Sequence, residues 1–232
     1  ANKGGDKGSG TRSSLMYETL RIVKKVKPKY VIWENVKNLL SEKHRHNFDK
    51  YIECMAALGY SSYYKVLNAK DYGIPQNRER IFTISIKNTI ETAFAFPCKK
   101  DNAVLLQDLL EKTGETRHED IYIDSSVKKS VADNIEREKA EIKASSKAIY
   151  TCNCTSGWCD NRVALKLAPT LRANNNSAYC LTEDNVVRKF TAKECWRLMG
   201  FTDEEYEKAA RVNSAAQLYK QAGNSIVVNV LE

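Results

Sequence analysis

The spacing of apolar residues predicts alternating helices and strands in the first ninety residues. Helical spacing predicts a helix over 13–27, which ends before Pro28, and a second helix over 47–58, closed by Gly59. Between them, Tyr30-Val31-Ile32-Trp33 form a continuous apolar run, which is typical of a strand buried on both faces of an α/β sheet. This part of the chain is therefore expected to form α/β layers.

Two further strands are predicted after the second helix. Residues 60–67 alternate between apolar and polar, residues 81–86 are largely apolar, and the turn Asp71-Tyr72-Gly73-Ile74-Pro75 lies between them. Because this connection is too short for a crossover helix, the two strands are expected to pair antiparallel. The first ninety or so residues thus resemble the closing portion of a Rossmann-like sheet.

The pattern becomes irregular after Pro97. A short helix is predicted over 104–110, but the stretch 98–184 as a whole has no clean period, and it includes a highly charged run over 128–147. We interpret it as an inserted, irregular small domain.

Regular spacing returns near Phe190. Thr191 and Glu194 form a capping-box pattern that predicts a helix start, and Gly200 predicts its end. Residues 226–231 form a last apolar run, which fits either a strand or the start of a helix.

Composition and charge restrict the class of protein. Hydrophobic residues make up 42% of the chain, which excludes wholesale disorder. The 37 Lys and Arg residues exceed the 29 Asp and Glu residues, and a net charge of +8 suits a polyanionic partner, although a solvated basic surface explains it equally well. There is no bilayer-length apolar run and no signal peptide, so we expect no membrane association and a cytoplasmic location.

Seven cysteines raise the question of a metal site. The odd count, without a secretion signal, favours reduced thiols over disulfides. Cys152, Cys154 and Cys159 are clustered, but structural zinc needs four ligands and the spacing lacks the paired C-x-x-C form. Ordinary thiols are favoured, and no metal site is predicted.

Three polar clusters are candidates for chemistry. Glu34-Asn35 follows the apolar strand, where open α/β sheets place their ligands, and the other two clusters cover 76–80 (QNRER) and 221–225 (QAGNS). Each also has an ordinary explanation: a strand-end carboxylate paired to a lysine, a solvated strand edge, and a turn. No cluster is decisive alone.

The order of the surrounding blocks is more specific. The chain contains, in this order, KPKYVIWENVKNLL, VLNAKDYGIPQNRERIF, RKFTAKECWRLMGF and QAGNSIVVNV. Together they resemble the DNA cytosine-5 methyltransferase family. The resemblance covers both ends of the chain, whereas the middle is matched loosely through Ala168-Pro169-Thr170-Leu171.

The resemblance implies a fold and a division into domains. The fold is α/β, part of the Rossmann-like sheet of an S-adenosylmethionine-dependent methyltransferase, with a smaller irregular target-recognition domain. Residues 1–97 would belong to the catalytic domain, 98–184 would be the DNA-binding recognition domain, and 185–232 would return to the catalytic domain.

The resemblance also implies a reaction on cytosine in double-stranded DNA. In the family a cysteine thiolate adds to carbon 6 of a flipped-out cytosine, carbon 5 takes the methyl group from S-adenosyl-L-methionine, and a base then removes the proton. By this match Glu34 contacts ring nitrogen 3 and the exocyclic amine, so burial is expected to raise its pKa. Arg80 reaches the oxygen at carbon 2, and Arg78 supports the pocket and a nearby phosphate.

Further positions match residues that contact the cofactor or the DNA. The cofactor contacts implied are Leu15, Asn224 and Ser225. The DNA contacts implied are Arg12, Thr170, Leu171 and Arg172. Arg12 falls in the glycine-rich stretch 1–12, which matches the mobile loop that follows the nucleophile in this family.

One departure from the family pattern is important. The family's Pro-Cys nucleophile motif and its glycine-rich cofactor loop would precede Ala1, and Pro-Cys-Gln occurs nowhere in the sequence. Pro97-Cys98 follows the last predicted sheet strand, outside the site, so Cys98 is rejected as the nucleophile. We therefore expect a fragment with an incomplete cofactor site that is inactive alone and needs the missing N-terminal half.

Three functions stay open at this point. The favoured one is a fragment of a methyltransferase of restriction-modification type. A non-catalytic DNA-binding subunit of a split methyltransferase is the second, disfavoured because a cut sheet would expose apolar surface. The third is an RNA cytosine methyltransferase, against which the long segment 98–184 argues.

Overall fold

The computed structural model describes residues 15–91, 93–100, 104–111, 133, 150–155, 158–159, 164–173, 178–181 and 187–232. The chain divides into two compact units. The first unit comprises 1–67 and 79–98, and the second comprises 68–78 and 99–232. The three predicted functional domains, divided after residues 97 and 184, stay a prediction.

The first unit contains two helices and a three-stranded sheet with the order β1-β3-β2. The helices are α1 (Leu15–Val26) and α2 (Arg45–Ala57), and the strands are β1 (Tyr30–Val36), β2 (Tyr60–Asn68) and β3 (Glu79–Lys87). A short 3-10 helix, Lys37–Leu40, follows β1. Both predicted helices and all three predicted strands are thus present, with boundaries moved by a few residues.

Both strand pairings in this sheet are antiparallel. β1 runs against β3 from the pair Tyr30–Ile86 to the pair Val36–Arg80. For β2 and β3, the Asn88 amide donates to the Gly59 carbonyl at 2.9 Å, and the hydroxyls of Ser62 and Ser85 lie 2.7 Å apart. Residue numbers therefore rise along one strand as they fall along the other, which confirms the predicted antiparallel pairing.

A cluster of buried apolar side chains joins the two helices to the sheet. Its members are Met16, Leu20, Val23, Val31, Tyr51, Met55 and Tyr60. The α1 members recur every three or four residues and so share one face of the helix. Trp33 of β1 stacks on Tyr51 of α2 with 4.0 Å between the ring centroids.

Burial on both faces was the wrong prediction for β1. Val31 is 9% exposed, but Tyr30 is 56% and Ile32 is 60% exposed. Alternate residues of a strand point to opposite faces, and among the described residues of this unit only one face of β1 is covered. The apolar run identified a strand, but it could not show which elements cover it.

Tyr51 makes the first unit sensitive to alkaline pH. Its side chain is fully buried, and burial raises its pKa from the usual 10 to about 12. In this window the unfolded chain loses the proton while the folded chain keeps it, so stability falls as pH rises from 10 to 12. We expect a loss of about 2 kcal/mol, most of which the variant Tyr51→Phe avoids. Urea unfolding at pH 9 and near pH 12 tests this, and Tyr63→Phe, at a 38% exposed position, is the control.

The second unit contains a sheet of five short strands. They are β4 (Tyr150–Thr155), β5 (Trp158–Cys159), β6 (Ala164–Leu165), β7 (Ala178–Leu181) and β8 (Val187–Lys189). The order is β5-β4-β7-β8, with β6 also on β4, and each pairing is antiparallel. The sequence predicted no strands here, because segments of two to six residues are too short to show a clear alternation.

Five α-helices and a short 3-10 helix, Ala69–Asp71, are described for this unit. The α-helices are α3 (Leu106–Leu109), α4 (Ala192–Arg197), α5 (Asp203–Ala210), α6 (Ala215–Asn224) and α7 (Val228–Leu231). The predicted capping box is present, since the Glu194 amide donates to Thr191 Oγ1 at 3.1 Å and the Thr191 amide donates to Glu194 Oε2 at 2.8 Å. Gly200, with φ +85°, follows that helix as predicted.

The last apolar run, 226–231, was predicted to be either a strand or the start of a helix, and it contains the helix α7.

Among the residues described, no helix combines the length and the apolar character needed to cross a bilayer. The cytoplasmic location stays a prediction.

Candidate active site and recognition segment

Glu34 and Arg80 form an ion pair within the first unit. Glu34 lies inside β1, which runs two residues beyond it, and Arg80 pairs with Val36 across the sheet. Arg80 Nε is 3.1 Å from Glu34 Oε1, and the two side chains are 17% and 20% exposed. A second guanidinium nitrogen of Arg80 donates to the Glu79 carbonyl at 2.8 Å. Two of the three predicted catalytic residues are therefore adjacent.

Burial and charge act in opposite directions on this pair. Burial lowers the pKa of Arg80, and the carboxylate of Glu34 offsets part of that shift. An arginine stays protonated at neutral pH even so. The site thus presents a fixed positive charge with several N–H donors beside a carboxylate, at low solvent exposure.

Arg78 belongs to the second unit, where it is 4% exposed. One terminal nitrogen donates to the Leu171 carbonyl at 2.9 Å. The other donates to the carbonyls of Gly223 at 3.1 Å and Ser225 at 2.8 Å. The Arg78 guanidinium thus donates to backbone carbonyls of its own unit. Its role at the cytosine pocket stays a prediction.

The predicted DNA contacts differ in exposure. Thr170 is half-buried, and its hydroxyl donates to the Asn77 carbonyl at 2.6 Å. Leu171 is 4% exposed and so packs inside the unit rather than projecting from it, whereas Arg172 is exposed. We call residues 168–173 the recognition segment, and Arg172 is its exposed cation. Arg12 lies outside the described residues.

The predicted cofactor contacts lie at the ends of helices. Leu15 begins α1 and is 61% exposed. Asn224 ends α6 with an exposed side chain, and the Ser225 amide caps that helix by donating to the Ala222 carbonyl at 3.2 Å. Leu15 and Asn224 are thus accessible to a ligand in their respective units.

The cysteine cluster cannot be assigned a role from side-chain geometry. Cys154 lies opposite Cys159 across the β4–β5 pairing, but the side chains of Cys152, Cys154 and Cys159 lie outside the described residues. Across the described part of the chain, no group of three or more His, Cys, Asp or Glu side chains is arranged to hold a metal.

Two features of the second unit were not predicted. Gln76 is fully buried, and its amide donates to the Leu198 carbonyl at 2.7 Å. Arg188 and Glu194 form a buried two-bond ion pair, with nitrogen to oxygen distances of 2.8 and 2.6 Å. Gln76 is the first residue of the QNRER cluster, so its motif was visible although its partner was not.

Comparison with known proteins decides the family. The sequence pattern of the C-5 cytosine-specific DNA methylases matches residues 2–232. The chain belongs to this family. This methylase chain is 39% identical over 224 residues to the type II methyltransferase M2.ScrFI of Lactococcus lactis subsp. cremoris, covering 97% of the chain and 58% of that protein. It is 36% identical over 230 residues to M.HhaI of Haemophilus parahaemolyticus, covering 96% of the chain and 66% of that protein. It therefore spans less than two thirds of each of these relatives.

Solved structures show the fold of this methylase chain. The Entamoeba histolytica methyltransferase EhMeth matches with a TM-score of 0.61 at 15% identity, over 93% of the chain and 66% of that protein. The S. pombe Dnmt2 methyltransferase matches with a TM-score of 0.61 at 20% identity, over 95% of the chain and 70% of that protein. The predicted α/β methyltransferase fold and the family resemblance are both confirmed, while the form of the recognition domain stays a prediction.

Proposed function

We propose that this methylase chain is part of a DNA cytosine-5 methyltransferase of restriction-modification type, and that Glu34 and Arg80 bind the flipped cytosine. The observation that carries the proposal is the ion pair itself. A carboxylate and a guanidinium, 3.1 Å apart and each about one fifth exposed, offer both an acceptor and donors at one place. Cytosine has a complementary edge, with an oxygen at carbon 2, a basic ring nitrogen and an exocyclic amine.

The pair can act directly on the ring. Arg80 holds the oxygen at carbon 2 with its remaining N–H groups, because a guanidinium offers donors in a fixed plane. Glu34 accepts a hydrogen bond from the exocyclic amine and delivers a proton to ring nitrogen 3 as a thiolate adds to carbon 6. The electron pair of the broken ring double bond moves toward carbon 5, where the new bond forms.

The protonation of Glu34 is therefore part of the cycle. Arg80 favours the ionised carboxylate before the base arrives. When a cytosine enters, its oxygen competes for the guanidinium and water is displaced, and both changes favour a proton on Glu34. The rise in the pKa of Glu34 that burial was expected to cause stays a prediction, and we propose a further rise when the base is bound.

Cofactor contacts are proposed separately for each unit. Leu15 offers an apolar surface in the first unit, and Asn224 and Ser225 offer an amide and a hydroxyl in the second. S-adenosyl-L-methionine supplies the methyl group when bound. The glycine-rich loop typical of such sites is not among these residues, so we propose that neither unit by itself carries a complete cofactor site.

We infer that an N-terminal half carrying the Pro-Cys nucleophile completes the enzyme. One face of β1 is exposed at Tyr30 and Ile32, and Val26 of α1 is 65% exposed. Exposed apolar side chains on one face of a strand fit a contact with another protein segment. The chain alone should therefore be inactive, and the basic net charge of +8 suits duplex DNA as the substrate of the complete protein.

An activity assay tests the proposal. The chain alone and the chain together with the polypeptide encoded upstream of Ala1 are incubated with labelled S-adenosyl-L-methionine and mixed-sequence duplex DNA. We expect label on cytosine carbon 5 only with both parts present. Transfer by the chain alone would refute incompleteness. Label on structured RNA in preference to duplex DNA at matched salt would instead favour an RNA methyltransferase.

A further inference from the structure

The loop that carries Gln76 and Arg78 is bonded closely to the recognition segment. The Ala168 amide donates to the Pro75 carbonyl at 2.7 Å, and the Asn77 amide donates back to the Ala168 carbonyl at 2.8 Å. The Thr170 hydroxyl adds a bond to the Asn77 carbonyl at 2.6 Å. All of these residues lie in the second unit. The backbone of the segment is thus fixed at two points close to Arg172.

Two buried side chains then hold both polar groups of one residue. The Leu171 amide donates to Gln76 Oε1 at 3.3 Å, and the Leu171 carbonyl accepts from Arg78 at 2.9 Å. Gln76 is fully buried and Arg78 is 4% exposed. Buried polar groups are costly when unpaired, so each of these bonds opposes movement of Leu171.

Arg78 also ties the segment to the end of α6. Its second terminal nitrogen donates to the carbonyls of Gly223 and Ser225. The backbone at Gly223 also lies very close to the backbone of the recognition segment, which only a glycine allows. A Cβ added at Gly223 would lie 2.4 Å from the backbone nitrogen of Ala173 and 2.4 Å from the carbonyl carbon of Arg172. The helix backbone therefore touches the backbone of the recognition segment directly.

We infer that Gln76 and Arg78 are positioning residues, which lock the recognition segment onto the Gly223–Ser225 turn and so fix where Arg172 is presented. This rests on the proposed function, since it assigns Arg172 to reading DNA. Sequence is read by side chains that must be held precisely against base edges, whereas phosphate contacts carry no sequence information. Loss of the lock should therefore reduce sequence selectivity far more than total affinity for DNA.

The test compares Arg78→Met and Arg78→Lys in the complete protein with Arg211→Met, a matched control at an exposed arginine of the same unit. Selectivity is measured as enrichment of bound duplexes from a randomised library, and affinity is measured on mixed-sequence duplex. For Arg78→Met we expect enrichment to fall at least about tenfold and affinity to change less than about threefold. Arg78→Lys should recover part of the enrichment, and Arg211→Met should leave it unchanged.

Hydrogen exchange of amides 168–173 in the chain provides the second measurement. Arg78→Met should speed their exchange at least about tenfold relative to amides of α5. If Arg78→Met does not fold, Arg78→Lys and Gly223→Ala provide the same comparison, because Gly223→Ala separates the same two backbones. Unchanged enrichment in a folded Arg78→Met or Gly223→Ala protein overturns the inference, as does unchanged exchange of amides 168–173 in either variant. A wild-type protein without any sequence preference contradicts the proposed function, while the exchange measurement still tests the lock.

Discussion

Replacing Glu34 by Gln in the complete protein is expected to slow methyl transfer by about a thousandfold or more. The amide keeps the size of the side chain and can still bond the exocyclic amine. It cannot deliver a proton to ring nitrogen 3 and recover it later, so the charge created by addition at carbon 6 is no longer neutralised. Single-turnover transfer of label at saturating DNA and cofactor measures this step without the contribution of product release.

The matched control is Glu79→Gln. Glu79 begins β3, one residue before Arg80, but its carboxylate bonds to the Lys37 ammonium at 3.0 Å and is 43% exposed. Exposed pairs of this kind contribute little, so transfer should stay within about threefold of the unchanged protein. Thermal unfolding of both variants separates a catalytic loss from a folding defect, because Glu34→Gln leaves Arg80 without its charged partner. A Glu34→Gln protein that folds and keeps its transfer rate would contradict the assignment.

Local pattern was sufficient for much of the fold. The apolar spacing of α1, the antiparallel pairing of β2 with β3, and the box formed by Thr191 and Glu194 all involve residues close in sequence. For these, propensity and the position of polar residues nearly determine the structure. The family blocks supplied the rest of the fold assignment.

Long-range partners were not predictable in the same way. Arg78 bonds to carbonyls 93, 145 and 147 residues away, and no property of the cluster QNRER specifies those partners. The prediction that β1 is buried on both faces was wrong for a related reason. An apolar run shows that a strand can be buried, but it does not show which elements cover it. The sequence therefore identified candidate functional residues. It did not show which of them are placed to contact a substrate and which bond to the protein's own backbone.

Breaking the buried ion pair of Arg188 and Glu194 is expected to give the largest loss of stability. Arg188 is 5% exposed and Glu194 is fully buried, and they share two hydrogen bonds. Glu194 also accepts from the amides of Glu111 and Thr191, both at 2.8 Å. Arg188→Met or Glu194→Gln leaves a buried charge without its partner, which costs about 3–5 kcal/mol. The shift in the urea unfolding transition of the chain measures this.

The double variant Arg188→Met/Glu194→Gln separates the energy of the pair from the cost of an unpaired charge. With both charges gone, the destabilisation should be smaller than the sum of the two single effects, since no buried charge is left without a partner and the side-chain amide oxygen introduced at position 194 can still accept from a backbone amide. Lys208→Met is the control, because Lys208 and Glu204 form an exposed pair at 2.8 Å that should contribute less than about 1 kcal/mol. If the single variants at the buried pair cost no more than Lys208→Met, the second unit does not depend on this contact. If the double variant costs the full sum, the pair itself, and not the charge left alone, stabilises the start of α4.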